Sequence, residues 1–129
     1  MQTSQLDEQR GLDVNDETDT AAVVAAFGKA WGAHDLETAL SMITDDCVFE
    51  ATGPAPDGVQ HKGRDEIRLA WQPIFDDTDS HFEVEDSLVC GDRVIERWCY
   101  SWNGGHIRGV DLFRVRDGLV SEKFAYVKG

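Results

Sequence analysis

The chain has 129 residues, of which 41% are hydrophobic and 29% charged, as in an ordinary globular protein with one core. Its formal net charge of −13 repels phosphate backbones and anionic lipid surfaces, so we expect neither nucleic acid nor membrane partners. The sequence contains no apolar run near the roughly 18 residues that a membrane span needs.

The N-terminus combines a high acid content with few large apolar side chains. Residues 1–18 are therefore expected to form a flexible acidic appendage, followed by a single domain over 19–129. The segment has no basic region followed by an apolar region, so we do not expect a secretory signal and take the cytoplasm as the default location.

Two helices are predicted after this segment. Thr18 or Asp19 can cap the first, whose apolar face is formed by Val23, Val24, Phe27, Ala30 and Trp31. The second is short, begins after the N-cap residue Asp35, and is predicted to extend to Ile43. His34 lies between the two, where we expect it to interact with the end of the first helix.

The remaining elements predict an α+β fold. A strand, TDDCVFEA, precedes a Gly/Pro loop and a short extended segment, VQHKG. A third helix follows, GRDEIRLAWQPIFDD, which Pro73 should bend or end early. Four strands joined by Gly-Asp, Asn-Gly-Gly and Arg-Asp-Gly turns then form an antiparallel meander. Helices covering one face of a curved sheet leave a cone with an open end.

Three segments carry a resemblance to a known family: WGAHDLETALSMITDDCVFEA, HKGRDEIRLAW and RGVDLFRVRDGLVSEKFAYVKG. In their order and spacing they resemble the SnoaL-like branch of the nuclear transport factor two-like, or ketosteroid isomerase-like, superfamily. The resemblance implies a cystatin-like cone with three helices packed on a curved, mostly antiparallel sheet. It leaves the function open, because the superfamily includes isomerases, dehydratases, epoxide hydrolases, polyketide cyclases and binding proteins.

Two family mechanisms lack most of their residues here. Proteins similar to ketosteroid isomerase use an Asp after the first strand, a Tyr on the first helix and an Asp on the penultimate strand; this chain has Ala51, Phe27 and Asp111. Limonene-type epoxide hydrolases use an Arg and two Asp, for which this chain has Arg97, Cys99 and Ala125. Of these functional groups only Asp111 and Arg97 are retained.

Strand alternation predicts which side chains face the inside of the cone. Asp111, Glu96 and Lys123 are the polar groups expected there, and each is a candidate catalytic residue. The predicted ligand pocket is otherwise mainly aromatic, comprising Phe27, Trp31, Phe49, His61, Trp71, Phe75, Trp98, Tyr100, Phe113 and Ala125. A carboxyl group in such a pocket can act as an acid, a base or an oxyanion donor, whereas an opposing Lys123 would make Asp111 part of a salt bridge.

No cofactor or metal is implied by the motifs. The cysteines Cys47, Cys90 and Cys99 lack C-x-x-C spacing and are expected to be reduced, and there is no zinc-protease, nucleophile-elbow or phosphate-loop motif.

Three functions remain open. The domain can be a cofactor-independent isomerase, lyase or cyclase using Asp111, a non-catalytic protein that binds a small hydrophobic molecule, or an interaction module that uses the sheet face. The stripe of Trp98, Tyr100 and Trp102 is compatible with core, pocket or dimer contact. The resemblance implies a homodimer.

Overall fold

The computed structural model describes the backbone of residues 2–129 and the side chains of residues 17–129. In this part of the chain, three helices and six strands follow one another in the order α1 (Gln2–Gly32), α2 (Leu36–Ser41), β1 (Ile43–Glu50), β2 (Gln60–Lys62), α3 (Arg64–Asp76), β3 (His81–Cys90), β4 (Arg93–Trp102), β5 (Gly105–Arg116) and β6 (Leu119–Val127). The predicted α+β class, with helices packed on a mostly antiparallel sheet, is confirmed.

The strands form one mixed sheet in the order β2-β1-β6-β5-β4-β3. Strands β3 to β6 pair as the predicted antiparallel meander, while β1 pairs parallel with β6 and antiparallel with β2. The turn between β5 and β6 is tight because Asp117 and Gly118 both have positive φ angles, 55° and 76°. The meander therefore brings β4, β5 and β6 side by side, and these strands carry the charged residues of the site.

The start of α1 differs from the prediction. The helix begins at Gln2, so Thr18 and Asp19 lie inside it and do not cap it. The side chains of residues 1–16 lie outside the described part of the chain, and the predicted appendage at 1–18 stays a prediction.

The start of α2 follows the sequence, whereas its end does not. Asp35 accepts a hydrogen bond from the Thr38 N–H at 3.2 Å, as predicted for an N-cap. The prediction that this helix reaches Ile43 is wrong, since the Met42 N–H donates to the Ala39 carbonyl and closes the helix. Ile43 is instead the fully buried first residue of β1.

Pro73 lies inside α3, and the helix continues to Asp76. A proline removes one hydrogen bond to the residue four positions earlier, here Leu69, which is 76% exposed, so water can reach this turn. The buried face of α3, formed by Ile67, Trp71 and Phe75, packs against the core on both sides of the proline. Packing thus overrides the helix-breaking tendency of Pro73.

The core lies between the sheet and the helices, and it is largely aromatic. Trp31 contacts the rings of Trp71 and Phe75 at centroid distances of 5.0 and 4.7 Å, and Phe27 contacts Phe113 at 5.8 Å. Edge-to-face pairs of this kind add to the free energy gained by burial. Among the described residues, no helix is long and apolar enough to cross a membrane.

Candidate functional site

A cavity of about 370 Å³ lies between the sheet and the helices. We call it the main cavity. Its apolar lining consists of Trp31, Phe49, Ala51, Ala70, Ile74, Phe82, Trp98, Ile107 and Ala125, and its polar lining of Thr52, His61, Tyr100, Asp111 and Lys123. A mainly apolar cavity of this size with a few convergent polar groups is typical of a small-molecule site.

A buried ion pair forms the most polar part of the lining. Asp111 on β5 and Lys123 on β6 are diagonal neighbours, because the sheet register places Asp111 opposite Ala125 and Phe113 opposite Lys123. The Lys123 Nζ lies 3.1 Å from the Asp111 Oδ2, and the two side chains are only 6% and 1% exposed. The structure therefore places Lys123 where it neutralises Asp111.

Aromatic rings surround the ammonium group of Lys123. Its Nζ lies 4.5 Å from the centroid of the Trp31 ring, 5.2 Å from that of Phe49 and 5.9 Å from that of Phe113. Aromatic faces attract a cation, and the attraction is larger where water is excluded. The Lys123 ammonium is therefore enclosed by three aromatic rings and the Asp111 carboxylate.

Asp111 retains unused hydrogen-bonding capacity. Both of its carboxylate oxygens are buried, and neither accepts a hydrogen bond from the described residues, because the close contact with Lys123 does not have hydrogen-bond geometry. The indole N–H of Trp98, which also lines the main cavity, is likewise buried without a partner. Unsatisfied buried polar groups are uncommon, and here an acceptor and a donor without partners belong to two residues that line the main cavity.

Glu96 lies beside the ion pair on β4, directly opposite Asp111 in the sheet register. It is 4% exposed. Burial, reinforced by the negative charge of Asp111 and partly offset by Lys123, raises the pKa of Glu96 from 4.5 to about 7. The three candidate catalytic side chains predicted from strand alternation are thus brought together in one cluster.

The predicted pocket residues divide into two groups. Trp31, Phe49, His61, Trp98, Tyr100 and Ala125 line the main cavity together with Asp111 and Lys123. Phe27, Trp71, Phe75 and Phe113 do not line it, which corrects the predicted lining. They are at most 5% exposed and form the core beneath it, because α1 and α3 pack so closely on the sheet that these rings fill the space between them.

Six lining residues were absent from the predicted set: Ala51, Thr52, Ala70, Ile74, Phe82 and Ile107. Ile107 shares its strand face with Asp111, and Phe82 pairs with Tyr100, so strand alternation carried a signal for both. Ala70 and Ile74 are one helical turn apart on α3. Ala51 and Thr52 follow the end of β1, where the sequence has no periodicity to exploit.

Two histidines lie near the site, and one of them holds a loop. His34 interacts through Nδ1 with the Phe75 carbonyl at 3.2 Å and through Nε2 with the Ser80 carbonyl at 3.1 Å, so its ring joins the α1–α2 turn to the end of α3 and to the loop that follows. The His34 backbone N–H donates to the Trp31 carbonyl at 3.1 Å, so the expected interaction with the end of α1 is made by the backbone and not by the ring. The loop after α3 is also held by the Tyr100 hydroxyl, which donates to the Ser80 Oγ at 2.7 Å. His61 lies stacked on Phe49, with ring centroids 5.7 Å apart.

Cys47, Arg97 and Cys99 do not line the main cavity. Burial raises the pKa of the Cys47 thiol to about 12, so this cysteine is a poor nucleophile. Arg97 and Cys99 alternate with Glu96 and Trp98 along β4 and therefore lie on the opposite sheet face. Within the part of the chain whose side chains are described, no group of three or more His, Cys, Asp or Glu residues is placed to hold a metal ion.

Comparisons with known proteins agree on the fold. The sequence profile of the SnoaL-like domain matches residues 23–123. A crystal structure of an NTF2-like protein of unknown function from Mesorhizobium loti is 38% identical, with a TM-score of 0.81 over 88% of this chain and 93% of that chain.

More distant structures carry names of activities. A steroid delta-isomerase from Pseudomonas aeruginosa is 18% identical, with a TM-score of 0.71 over 88% of this chain and 82% of that chain. A candidate polyketide cyclase from Sinorhizobium meliloti is 21% identical, with a TM-score of 0.71 over 81% of this chain and 93% of that chain. At these identities the likeness shows the fold alone. A search of curated proteins found no significant match.

Proposed function

The chain belongs to the SnoaL-like domain family, and from this premise we propose that it binds a small, largely apolar carbonyl compound in the main cavity and catalyses a cofactor-independent isomerisation, elimination or cyclisation on it. The observation that carries this proposal is the Asp111–Lys123 ion pair, which lies in an aromatic-walled cavity and leaves both carboxylate oxygens without a hydrogen bond. Related folds include proteins named as a steroid isomerase and as a candidate polyketide cyclase, which supports this range of reactions.

The ion pair supplies the two groups that enolate chemistry needs. The Lys123 ammonium lies 3.1 Å from Asp111, and both Asp111 carboxylate oxygens lack a hydrogen bond, so Asp111 is suited to act as a base that removes a proton next to a carbonyl group. The negative charge that develops on the carbonyl oxygen can then be stabilised by Lys123, which no longer faces a charged Asp111. The mainly apolar lining of the cavity lowers the local polarity, which strengthens both interactions.

The test uses 3-cyclohexen-1-one, an apolar ketone with acidic α-hydrogens that can form a conjugated isomer. We expect the protein to accelerate two reactions in deuterated buffer: exchange of the α-hydrogens, followed by NMR, and formation of the conjugated enone, followed by absorbance. Asp111→Asn should reduce both by about 10²- to 10⁴-fold, the usual contribution of a general base. Asp86→Asn, which removes an exposed carboxylate from the same sheet, should leave both rates unchanged.

The fold of Asp111→Asn must be checked by circular dichroism, since the substitution leaves Lys123 without its partner. The double variant Asp111→Asn with Lys123→Met removes that unpaired charge and provides a second test. Unchanged exchange in either folded variant would refute the role of Asp111. Failure of a panel of apolar ketones and phenols to raise the melting temperature of the wild-type protein would refute the binding site.

Non-catalytic binding is the second candidate function. It is favoured by the neutralisation of Asp111 in the ion pair and by Ala51 and Phe27 at positions where ketosteroid isomerase-like proteins carry functional groups. In that case apolar ligands would raise the melting temperature of the wild-type protein, while neither exchange nor isomerisation would exceed the buffer rate.

We also propose that the outer face of the sheet forms a homodimer contact. Leu88, Ile95, Leu112 and Phe124 lie in one row across β3, β4, β5 and β6, because each is the register partner of the next. Leu88 and Ile95 are 65% and 44% exposed. Such an apolar row on a monomer surface favours contact with a second protein surface. Light scattering should report a dimer for the wild type and a monomer for Ile95→Glu, and a wild-type monomer would refute the contact.

A further inference from the structure

A second opening leads towards the charged cluster from another side. This groove, of about 460 Å³, lies between α1 and strands β3 and β4. We call it the side groove. It is lined mainly by small and apolar residues, among them Val24, Ala25 and Gly28 of α1 and Val84, Val89 and Val94 of the two strands. Glu96 also lines the side groove, and it does not line the main cavity.

Glu96 and Asp111 lie on opposite sides of the boundary between the two openings. They are register partners on β4 and β5, so their side chains share one sheet face with Cβ atoms about 4.5–5.5 Å apart. Asp111 lines the main cavity, Glu96 lines the side groove, and Phe82 lines both. Two carboxyl groups at this distance can exchange a proton directly or through one water molecule.

The surroundings of Glu96 suit proton exchange near neutral pH. The charged groups around it are Lys29 on α1, Glu83 on β3, Asp111 on β5 and Lys123 on β6. Lys29 and Glu83 are exposed, whereas Asp111 and Lys123 are buried. Because its pKa is raised to about 7, Glu96 is present in both protonated and ionised forms at neutral pH.

We propose that Glu96 is a positioning residue that transfers protons between Asp111 and water in the side groove while a ligand fills the main cavity. The inference rests on the proposed function, since it concerns the proton that Asp111 removes from the ligand. After that removal, Asp111 is a carboxylic acid. It either returns this proton to another carbon of the ligand, or transfers it to the Glu96 carboxylate, which releases it to water, takes up a solvent proton in exchange and passes that proton back to Asp111 for delivery to the ligand. Each route restores the original protonation state of Asp111, and no oxidant or reductant takes part.

The deuterium content of the product distinguishes these routes. During isomerisation of 3-cyclohexen-1-one in deuterated buffer, direct return by Asp111 delivers the original hydrogen, whereas exchange through Glu96 delivers deuterium. We expect wild-type product to contain deuterium, and Glu96→Gln to lower that content several-fold while isomerisation continues. The wild-type ratio of exchange to isomerisation should change around pH 7, whereas the ratio for Glu96→Gln should not. A purely structural role for Glu96 would alter the overall rate without altering this ratio.

A second variant obstructs the side groove and leaves Glu96 in place. A Cβ atom added at Gly28 meets no atom within 4 Å, so Gly28→Leu should fold and place its side chain in the groove. It should also lower the deuterium content, while the control Glu83→Gln, which removes an exposed charge from the same groove, should not.

Two further outcomes distinguish failure of the proton transfer from failure of the proposed function. Wild-type deuterium content in both Glu96→Gln and Gly28→Leu would refute the transfer through the side groove and leave the proposed function intact. If the wild type accelerates neither exchange nor isomerisation, the proposed function and this inference fail together.

Discussion

The buried carboxyl of Glu96 makes the stability of the protein depend on pH. The substitution Glu96→Gln keeps the shape of the side chain and resembles its protonated form, but it cannot ionise. In the native protein the pKa of Glu96 is about 7 rather than 4.5, because the side chain is buried beside Asp111. Between these pH values the native state holds a proton that the unfolded chain releases.

The sign and size of the effect follow from this difference in proton binding. Because the native state binds more protons in this window, the free energy of unfolding falls as pH rises from 4.5 towards 7. At roughly 1.4 kcal/mol per pH unit, the full loss is about 3 kcal/mol, and about 2–3 kcal/mol of it falls between pH 5 and pH 8. Glu96→Gln does not undergo this loss.

Urea unfolding followed by tryptophan fluorescence provides the measurement, since Trp31, Trp71 and Trp98 are all buried. We expect the free energy of unfolding of Glu96→Gln minus that of the wild type to increase by about 2–3 kcal/mol from pH 5 to pH 8. Taking the difference between the two free energies cancels the contribution of every group that titrates equally in both proteins. Glu83→Gln controls for the loss of one negative charge at the side groove. If the difference in free energy of unfolding between Glu96→Gln and the wild type stays constant from pH 5 to pH 8, the argument that Glu96 is buried in its protonated form is refuted.

Three further substitutions test the packing around the site by urea unfolding. Gly28→Ala should stabilise the protein by about 1 kcal/mol, because alanine favours the helix and its Cβ meets open space; a loss of stability would contradict this. Gly109→Ala should destabilise it by more than about 2 kcal/mol, since the new Cβ would lie 2.2 Å from the Tyr126 carbonyl oxygen and 2.6 Å from the Trp98 ring. Near wild-type stability of this variant would show that the strands can move apart at this position. Asp35→Ala should cost about 1 kcal/mol through loss of the α2 N-cap, and no change would discount that cap.

The charged cluster could be predicted because the alternation of side chains is uninterrupted along β4 and β5 around Glu96 and Asp111. Strands β4 and β5 pair without a register shift from Arg93 to Trp102, so the inward orientation of Glu96 and Asp111 follows directly from the period of two. The one shift between β5 and β6 lies between Arg114 and Val115, beyond the residues that bring Lys123 next to Asp111. A bulge two residues earlier would have reversed the expected facing.

The extent of the cavity could not be predicted in the same way. Phe27 and Trp31 are one turn apart on α1 and belong to the same apolar face of this helix. Trp31 nevertheless lines the main cavity, while Phe27 is buried in the core. Trp71 and Ile74 on α3 differ in the same respect. The distinction depends on how far each helix turn stands from the sheet, a tertiary distance that no periodicity in the sequence encodes.

The energetics of the charged cluster favour a functional origin. The exposed ion pairs, such as Arg68 with Glu37, contribute little to stability, and the aromatic core supplies most of the burial. Asp111, Lys123 and Glu96 are all buried, and removing charged groups from water costs several kcal/mol per group, which their mutual attraction only partly offsets. Apolar residues of similar volume at these positions would give an equally stable or more stable domain. The burial of three ionisable groups where an apolar cavity meets a second groove is therefore weak evidence for a role in stability, which agrees with the binding and proton transfer that we propose.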